Sequence, residues 1–368
     1  MPSSTRTRPT TGITRLTNCR VVKGLSLVEE DVWFSSKTGT ILSSQSSFFD
    51  DNALPDRSID LGGRIVSPGL IDVQLNGAFG FNFSTLPRDG LDYAKEVRVL
   101  NKKLVTTGVT SYAPTLTSQK PTLYKQVKKS ALQASLRQSL NISQALPYLG
   151  PSKGSRLAED GAESLGAHVE GPFLSPSKNG VHDKEVLIEA QTFADIENCY
   201  GAENLRPNED GISGTIKKIT LAPERGQMTS LIPELKSRNI ICSIGHTEAT
   251  YEEASAAVGA GATMITHLFN AMRPLHHRNP GIFGLLGNSQ NPQRPYFGVI
   301  ADGIHLHPTT VVVAFKSFPA GFILVTDAMH MMGLPDGTYE WMNGESPSTI
   351  VKKGTTCLLE GTETIAGR

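Results

Sequence analysis

Histidine and acidic side chains gather in this 368-residue chain in a pattern suited to metal-assisted hydrolysis. All nine histidines lie between His168 and His330, and several directly follow short apolar runs. His168-Val-Glu170-Gly-Pro-Phe closes one run, Gly245-His246-Thr247 a second, Thr266-His267-Leu-Phe-Asn270-Ala271 a third and Val325-Thr326-Asp327-Ala328 a fourth. An isolated buried histidine is ordinarily a hydrogen-bonded structural residue. Glu170, His246 and His267, each at a strand end, instead supply one carboxylate and two imidazoles, a donor set that holds a zinc-like ion with one position open to water. An unpaired carboxylate at Asp327 can take a proton from that water and return it to a leaving amine. Earlier in the chain, Gln74-Leu-Asn76 offers two amides. An amide is a poor ligand for such an ion, so one ion is expected rather than two.

The elements that must position these groups follow from the apolar pattern. From residue 13 to 66 short apolar runs alternate with polar and glycine turns, which predicts a small β domain after a Ser/Thr/Pro/Arg-rich tail over 1–12, read as disordered rather than as a transit peptide. Eight runs then alternate with longer stretches of helical texture: Gly69 to Leu75, Val109 to Leu116, Leu165 to Glu170, Lys218 to Ala222, Ile240 to Gly245, Met264 to Leu268, Tyr296 to Ala301 and Phe322 to Thr326. Eight is the number that closes a (β/α)8 TIM barrel, so the fold class is α/β with the barrel over 67–368. Barrel enzymes keep their working residues where these runs end. Thr250-x-x-Glu253 is a capping box for a helix that Gly259 and Gly261 should stop. Residues 118–164 should hold an amphipathic segment near Tyr124 to Leu136 and a Pro/Gly/Ser-rich loop near Pro147 to Ser155.

Acidic and basic residues balance at 35 each, which gives no electrostatic case for nucleic acid. No stretch approaches a membrane span. Cys19, Cys199, Cys242 and Cys357 have no metal spacing and follow no signal segment, as expected of reduced thiols in a cytoplasmic protein.

The strand Pro68-Gly-Leu-Ile-Asp-Val-Gln-Leu-Asn-Gly77, with HVEGPF, Leu221-Ala-Pro-Glu224, GHT, Thr266-His-Leu-Phe-Asn-Ala-Met272, His276-His-Arg-Asn-Pro-Gly281, Ala301-Asp-Gly-Ile-His305 and VTDA, resembles the N-acetylglucosamine-6-phosphate deacetylases of the amidohydrolase superfamily. The motifs come in family order from about Thr14 to Gly367. In this resemblance Gln74 and Asn76 stand where many amidohydrolases carry a metal-binding His-x-His. The resemblance implies hydrolysis of N-acetylglucosamine 6-phosphate to glucosamine 6-phosphate and acetate, with Glu170, His246 and His267 as ligands of one divalent ion, most simply Zn, with Fe, Co or Mn also compatible. It implies Asp327 as general acid and base, His182 near the acetamido carbonyl, and Gln74 touching the metal through a water or not at all. Val181, Asn270, Ala271, Arg278, His305, Ile365, Ala366 and Gly367 would contact substrate, Arg278 reaching its phosphate from a neighbouring subunit of a homodimer.

The remaining residues have plainer expectations. His307 follows His305 by chance spacing, His276 and His277 pack a loop and orient Arg278, and His330 has no counterpart. Glu224 is expected to pair with a nearby base, and His168 to support Glu170 from behind. The family continues past Gly367 into a further helix and strands. The alternative to an active enzyme is therefore a shortened chain that at most binds sugar phosphate or a full-length partner, with apolar surface left uncovered.

Overall fold

The computed structural model describes residues 10–43, 54–85, 93–124, 145–146, 149–151, 158–207, 214–287, 293–343 and 346–367. Most of the expected tail, all but Tyr124 of the segment Tyr124 to Leu136, and most of the loop Pro147 to Ser155 lie outside these residues. The chain divides into two compact units after Gly69.

The first unit is a five-stranded sheet of β1 (Ile13–Lys23), β2 (Ser26–Glu29), β3 (Val32–Ser35), β4 (Thr40–Leu42) and β5 (Arg57–Val66). β5 runs parallel to β1, whereas β2 and β3 pair with it antiparallel. Of the segment read as tail, Thr11 and Gly12 donate their N–H groups to the Asp56 carboxylate at 2.9 and 2.6 Å.

In the second unit β6 (Leu70–Leu75) is followed by a tight hairpin of β7 (Gly77–Ala78) and β8 (Phe81–Asn82). Then come β9 (Val109–Leu116), β10 (Glu163–Ser164), β11 (Ala167–Glu170), β12 (Ile216–Leu221), β13 (Ile241–Ile244), β14 (Met264–Ile265), β15 (Tyr296–Ile300) and β16 (Phe322–Val325). All eight expected runs are strands, within three residues of their expected bounds. They pair in parallel as β6-β9-β11-β12-β13-β14-β15-β16, and β10 pairs with β9 as well. Such strands are covered on both faces, which is why they read as continuous apolar runs.

The seam between β16 and β6 has no ladder, only the bridge between Leu75 and Ala328. Asp327 N–H donates to the Gln74 carbonyl (3.0 Å), Asn76 N–H to that of Ala328 (2.9 Å), and Thr326 Oγ1 to buried Asp72 (2.5 Å). The barrel thus closes through the residues that flank its candidate site.

Inside the barrel His168 lies between Thr115 Oγ1 (3.0 Å) and Thr220 Oγ1 (2.7 Å), and Thr220 continues to Thr266 and Ser243. Buried Lys218 reaches across to the Val73 carbonyl at 2.8 Å. Burial pushes its pKa from the ordinary 10.5 down to about 8, although Glu170 and Asp72 act the other way. Between those two pH values the unfolded chain binds more protons than the barrel, so stability rises with pH there. Relative to Lys218→Met, the wild type should therefore gain roughly 3 kcal/mol across that window, followed by urea unfolding. Parallel stability curves for the two proteins would contradict this.

Two details differ from expectation. The helix Tyr251–Ala260 has the capping box at Thr250 and Glu253, but Gly259 lies within it, and Gly261 alone, at φ 125°, ends it. After β16 the chain also builds an antiparallel sheet of β17 (Gly337–Asn343), β18 (Ser346–Lys353) and β19 (Thr356–Leu359), not anticipated as a separate element of the barrel region. Its core joins Trp341, Ile350 and Cys357 to Met329, Met331 and Ala366. Leu70, Ile71 and Leu324 on the seam strands are exposed, as are Val312, Val313 and Phe315 on the helix Pro308–Ser317. Among the described residues no helix is long and apolar enough to cross a membrane.

Candidate active site

At the C-terminal ends of the barrel strands three ligand-type atoms form a small triangle. Glu170 Oε1 lies 3.3 Å from His246 Nε2 and 3.1 Å from His267 Nε2, and the two nitrogens are 3.1 Å apart. All three residues are buried. His246 spends its Nδ1–H on the Lys178 carbonyl (2.7 Å), so the lone pair of its neutral ring is on Nε2, inside the triangle. A tetrahedral ion with ligands 2.0–2.1 Å away spaces them about 3.3 Å apart, and the observed edges fit that size and donor set. His182 approaches less closely: its ligand atom and those of Glu170 and His246 lie within 4.8 Å of one another.

The charges follow from this packing. Burial alone would raise the Glu170 pKa, but the His246 ring beside it and the bond from His267 hold it well below the usual carboxylate range. Burial likewise works to lower that of His267, and Glu170 outweighs it, raising the value. His182 has no such bond to the carboxylate; burial, with repulsion from His246, takes it down to about 3.

Asp327 faces the triangle from the barrel seam. Its Oδ1 accepts from Gln74 Nε2 (3.1 Å) and Asn76 Nδ2 (2.8 Å), and Gln74 Nε2 also donates to Glu170 Oε1 (3.1 Å). The amide pair thus spans two carboxylates with its N–H groups. Burial, then the Glu170 charge, raises the Asp327 pKa. Three of these residues depart from ordinary backbone: φ is 48° at His246, 26° at His267 and 50° at Asp327. Such left-handed non-glycine residues cost about 1–3 kcal/mol each and persist where the surroundings fix them.

Asn76, Val181, His182, Asn270, Ala271 and His305 line the same pocket, closed on another side by Ile365, Ala366 and Gly367. The extra sheet delivers that last segment: Ala366 N–H bonds the Cys357 carbonyl at 2.9 Å, and Ile365 bridges to Leu358. His305 Nδ1 is paired with Asp302 at 2.8 Å, leaving Nε2 for the pocket. Arg278 is not among the lining residues; it is exposed on its loop, where its N–H bonds His276 Nδ1 at 3.2 Å. His307 caps a helix by accepting from Thr309 N–H. Among the described residues Glu224 pairs with no base: it accepts from Thr247 Oγ1 and from Glu248 N–H. His168 is held by threonine hydroxyls. Sequence reasoning missed Ser118, which bonds both His182 and Glu170, and gave Asn76 no part beyond failing to bind metal; lying just past a barrel strand is the one signal Ser118 offered.

A parallel barrel carrying a one-carboxylate, two-imidazole centre beside a buried acid is the architecture of a metal-dependent hydrolase. No family model matches the chain. It is 39% identical over 360 residues to a zebrafish (Danio rerio) N-acetylglucosamine-6-phosphate deacetylase, the match covering 96% of this chain and 79% of that one. The human (Homo sapiens) deacetylase is 36% identical over 359 residues, with 96% and 78% covered. A solved Mycobacterium smegmatis deacetylase variant, in complex with N-acetyl-D-glucosamine 6-phosphate, superposes with a TM-score of 0.67 at 28% identity, covering 96% of this chain and 79% of that one. The chain belongs to the N-acetylglucosamine-6-phosphate deacetylase family.

Proposed function

We propose that this chain hydrolyses the acetamide of N-acetylglucosamine 6-phosphate to glucosamine 6-phosphate and acetate. The observation that carries the reading is the convergence of Glu170, His246 and His267 within 3.3 Å beside a doubly held Asp327. Glu170, His246 and His267 hold one divalent ion, zinc by donor type, which when bound lowers the pKa of water toward neutrality and polarises a carbonyl. Asp327 takes a proton from the attacking water as its oxygen adds to the carbonyl carbon. With Oδ1 fixed by the two amides, Oδ2 is the oxygen that carries that proton. Asp327 then delivers it to nitrogen as the C–N bond breaks, so the amine leaves neutral. Neutral His182 donates a hydrogen bond to the carbonyl oxygen as charge develops there. Gln74 binds no metal in this reading; its amide nitrogen keeps Glu170 and Asp327 from repelling each other.

Val181, Asn270, Ala271, His305 and Ile365–Gly367, which line the pocket, shape it for the sugar, and in this reading Asn270 and the Ala271 N–H bind the phosphate. Arg278, exposed and outside the pocket of its own chain, supports a homodimer in which it serves the neighbour's phosphate. Four free, buried cysteines support a cytoplasmic setting.

Metal-replete protein should release acetate from N-acetylglucosamine 6-phosphate, lose this with a chelator and regain it with zinc. No acetate from the phosphorylated sugar under metal-replete conditions would overturn the proposal.

A further inference from the structure

Ser118 is fully buried just beyond β9 and makes three contacts within the site. Its main-chain N–H points at His182 Nδ1 (3.1 Å), and its hydroxyl lies 2.8 Å from the same nitrogen and 3.0 Å from the Glu170 carbonyl oxygen. The fit is tight, because a Cβ on Gly171 would come 2.2 Å from Ser118 Oγ. The glycine of the HVEGPF motif therefore makes room for this serine.

A main-chain amide can only donate. Its hydrogen occupies the space a proton on His182 Nδ1 would need, so Nδ1 must offer its lone pair, and the proton of the neutral ring is on Nε2. The hydroxyl shares its one hydrogen between Nδ1 and the Glu170 carbonyl, tying the imidazole to the strand end that carries Glu170.

We infer that Ser118 is a positioning residue that fixes His182 as the Nε2–H tautomer, making it a hydrogen-bond donor to substrate and excluding it from the metal-ligand set. The inference rests on the deacetylase reading for the donor's purpose, though not for the tautomer itself. It also chooses between the two histidines near Glu170 and His246: His267 takes the third ligand place and His182 does not.

The test is nitrogen NMR of holoprotein labelled with ¹⁵N-histidine, the His182 signals identified by their loss in His182→Gln. The expected result is a bare Nδ1 and a protonated Nε2, with ¹¹³Cd coupling to His246 and His267 but not to His182 when cadmium replaces the native ion. A protonated Nδ1, or cadmium coupling to His182, would overturn the inference. In kinetics, Ser118→Ala should lower kcat about tenfold at nearly unchanged KM, and Ser118→Thr should restore most of it. Wild-type kcat in Ser118→Ala, or a loss confined to KM, would count against the positioning role. Should the protein release no acetate at all, the deacetylase reading fails while the NMR result still decides the tautomer.

Discussion

Asp327→Asn is expected to cut acetate release about a thousandfold while leaving metal content unchanged. The amides of Gln74 and Asn76 both present N–H to Oδ1, at 3.1 and 2.8 Å. In the variant only the amide oxygen can occupy that position, because an NH2 there would meet two donors head on. The new NH2 is thereby forced into the place of Oδ2, where it can neither accept a proton from water nor deliver one to the amine. The same contacts that orient the wild-type base lock the variant in an inert rotamer, so the loss should fall on kcat. Turnover within tenfold of wild type would remove Asp327 from the proton-carrying role.

His267→Ala should abolish both turnover and metal retention. The triangle would be left with Glu170 Oε1 and His246 Nε2, 3.3 Å apart, and two donors do not hold a zinc-like ion against water. Binding to the native state alone stabilises a protein by an amount that grows with the logarithm of ligand concentration over Kd, so wild-type melting temperature should climb with added zinc. The variant's should not move. Metal analysis and thermal melts read this without reference to turnover, and a zinc-dependent rise in the variant would show that the ion is held elsewhere.

Much of this architecture was legible because barrel strands announce themselves twice. The eight runs are mostly apolar, and their ends carry the polar residues that matter: Glu170, His246, His267 and Asp327 each stand two residues past a ladder or at its last position. Other features had no local signature. The left-handed backbone at His246, His267 and Asp327 comes from the surroundings; His and Asp visit that region more than most residues, but too seldom for sequence to foretell it. Ser118 acts partly through a main-chain N–H, which every residue but proline has, so only spatial position distinguishes it. Lys218 lies in a strand whose texture gives no sign that its ammonium crosses the barrel to Val73. The β17–β19 sheet does carry a local signature: Tyr339 and Trp341 alternate with polar Thr338 and Glu340, and Gly354 marks the turn before β19. Its function explains its place, since it carries Ile365–Gly367 to the pocket rim.

The seam between β6 and β16 joins the barrel strands that lie furthest apart in the chain. Asn76 and Asp327 are 251 residues apart, and Asp72 and Thr326 are 254 apart, yet each pair meets when the barrel closes. Contacts at such separation carry the largest loop-closure entropy and tend to form late in folding. An open or partly zipped barrel can already hold β11, β12, β13 and β14 side by side, with Glu170, His246 and nearby His267, and so gather the metal ligands. It cannot yet own an oriented base. Metal capture and catalytic competence are therefore separable milestones on the way to the native state, the second reached only when the chain's two most distant barrel strands join.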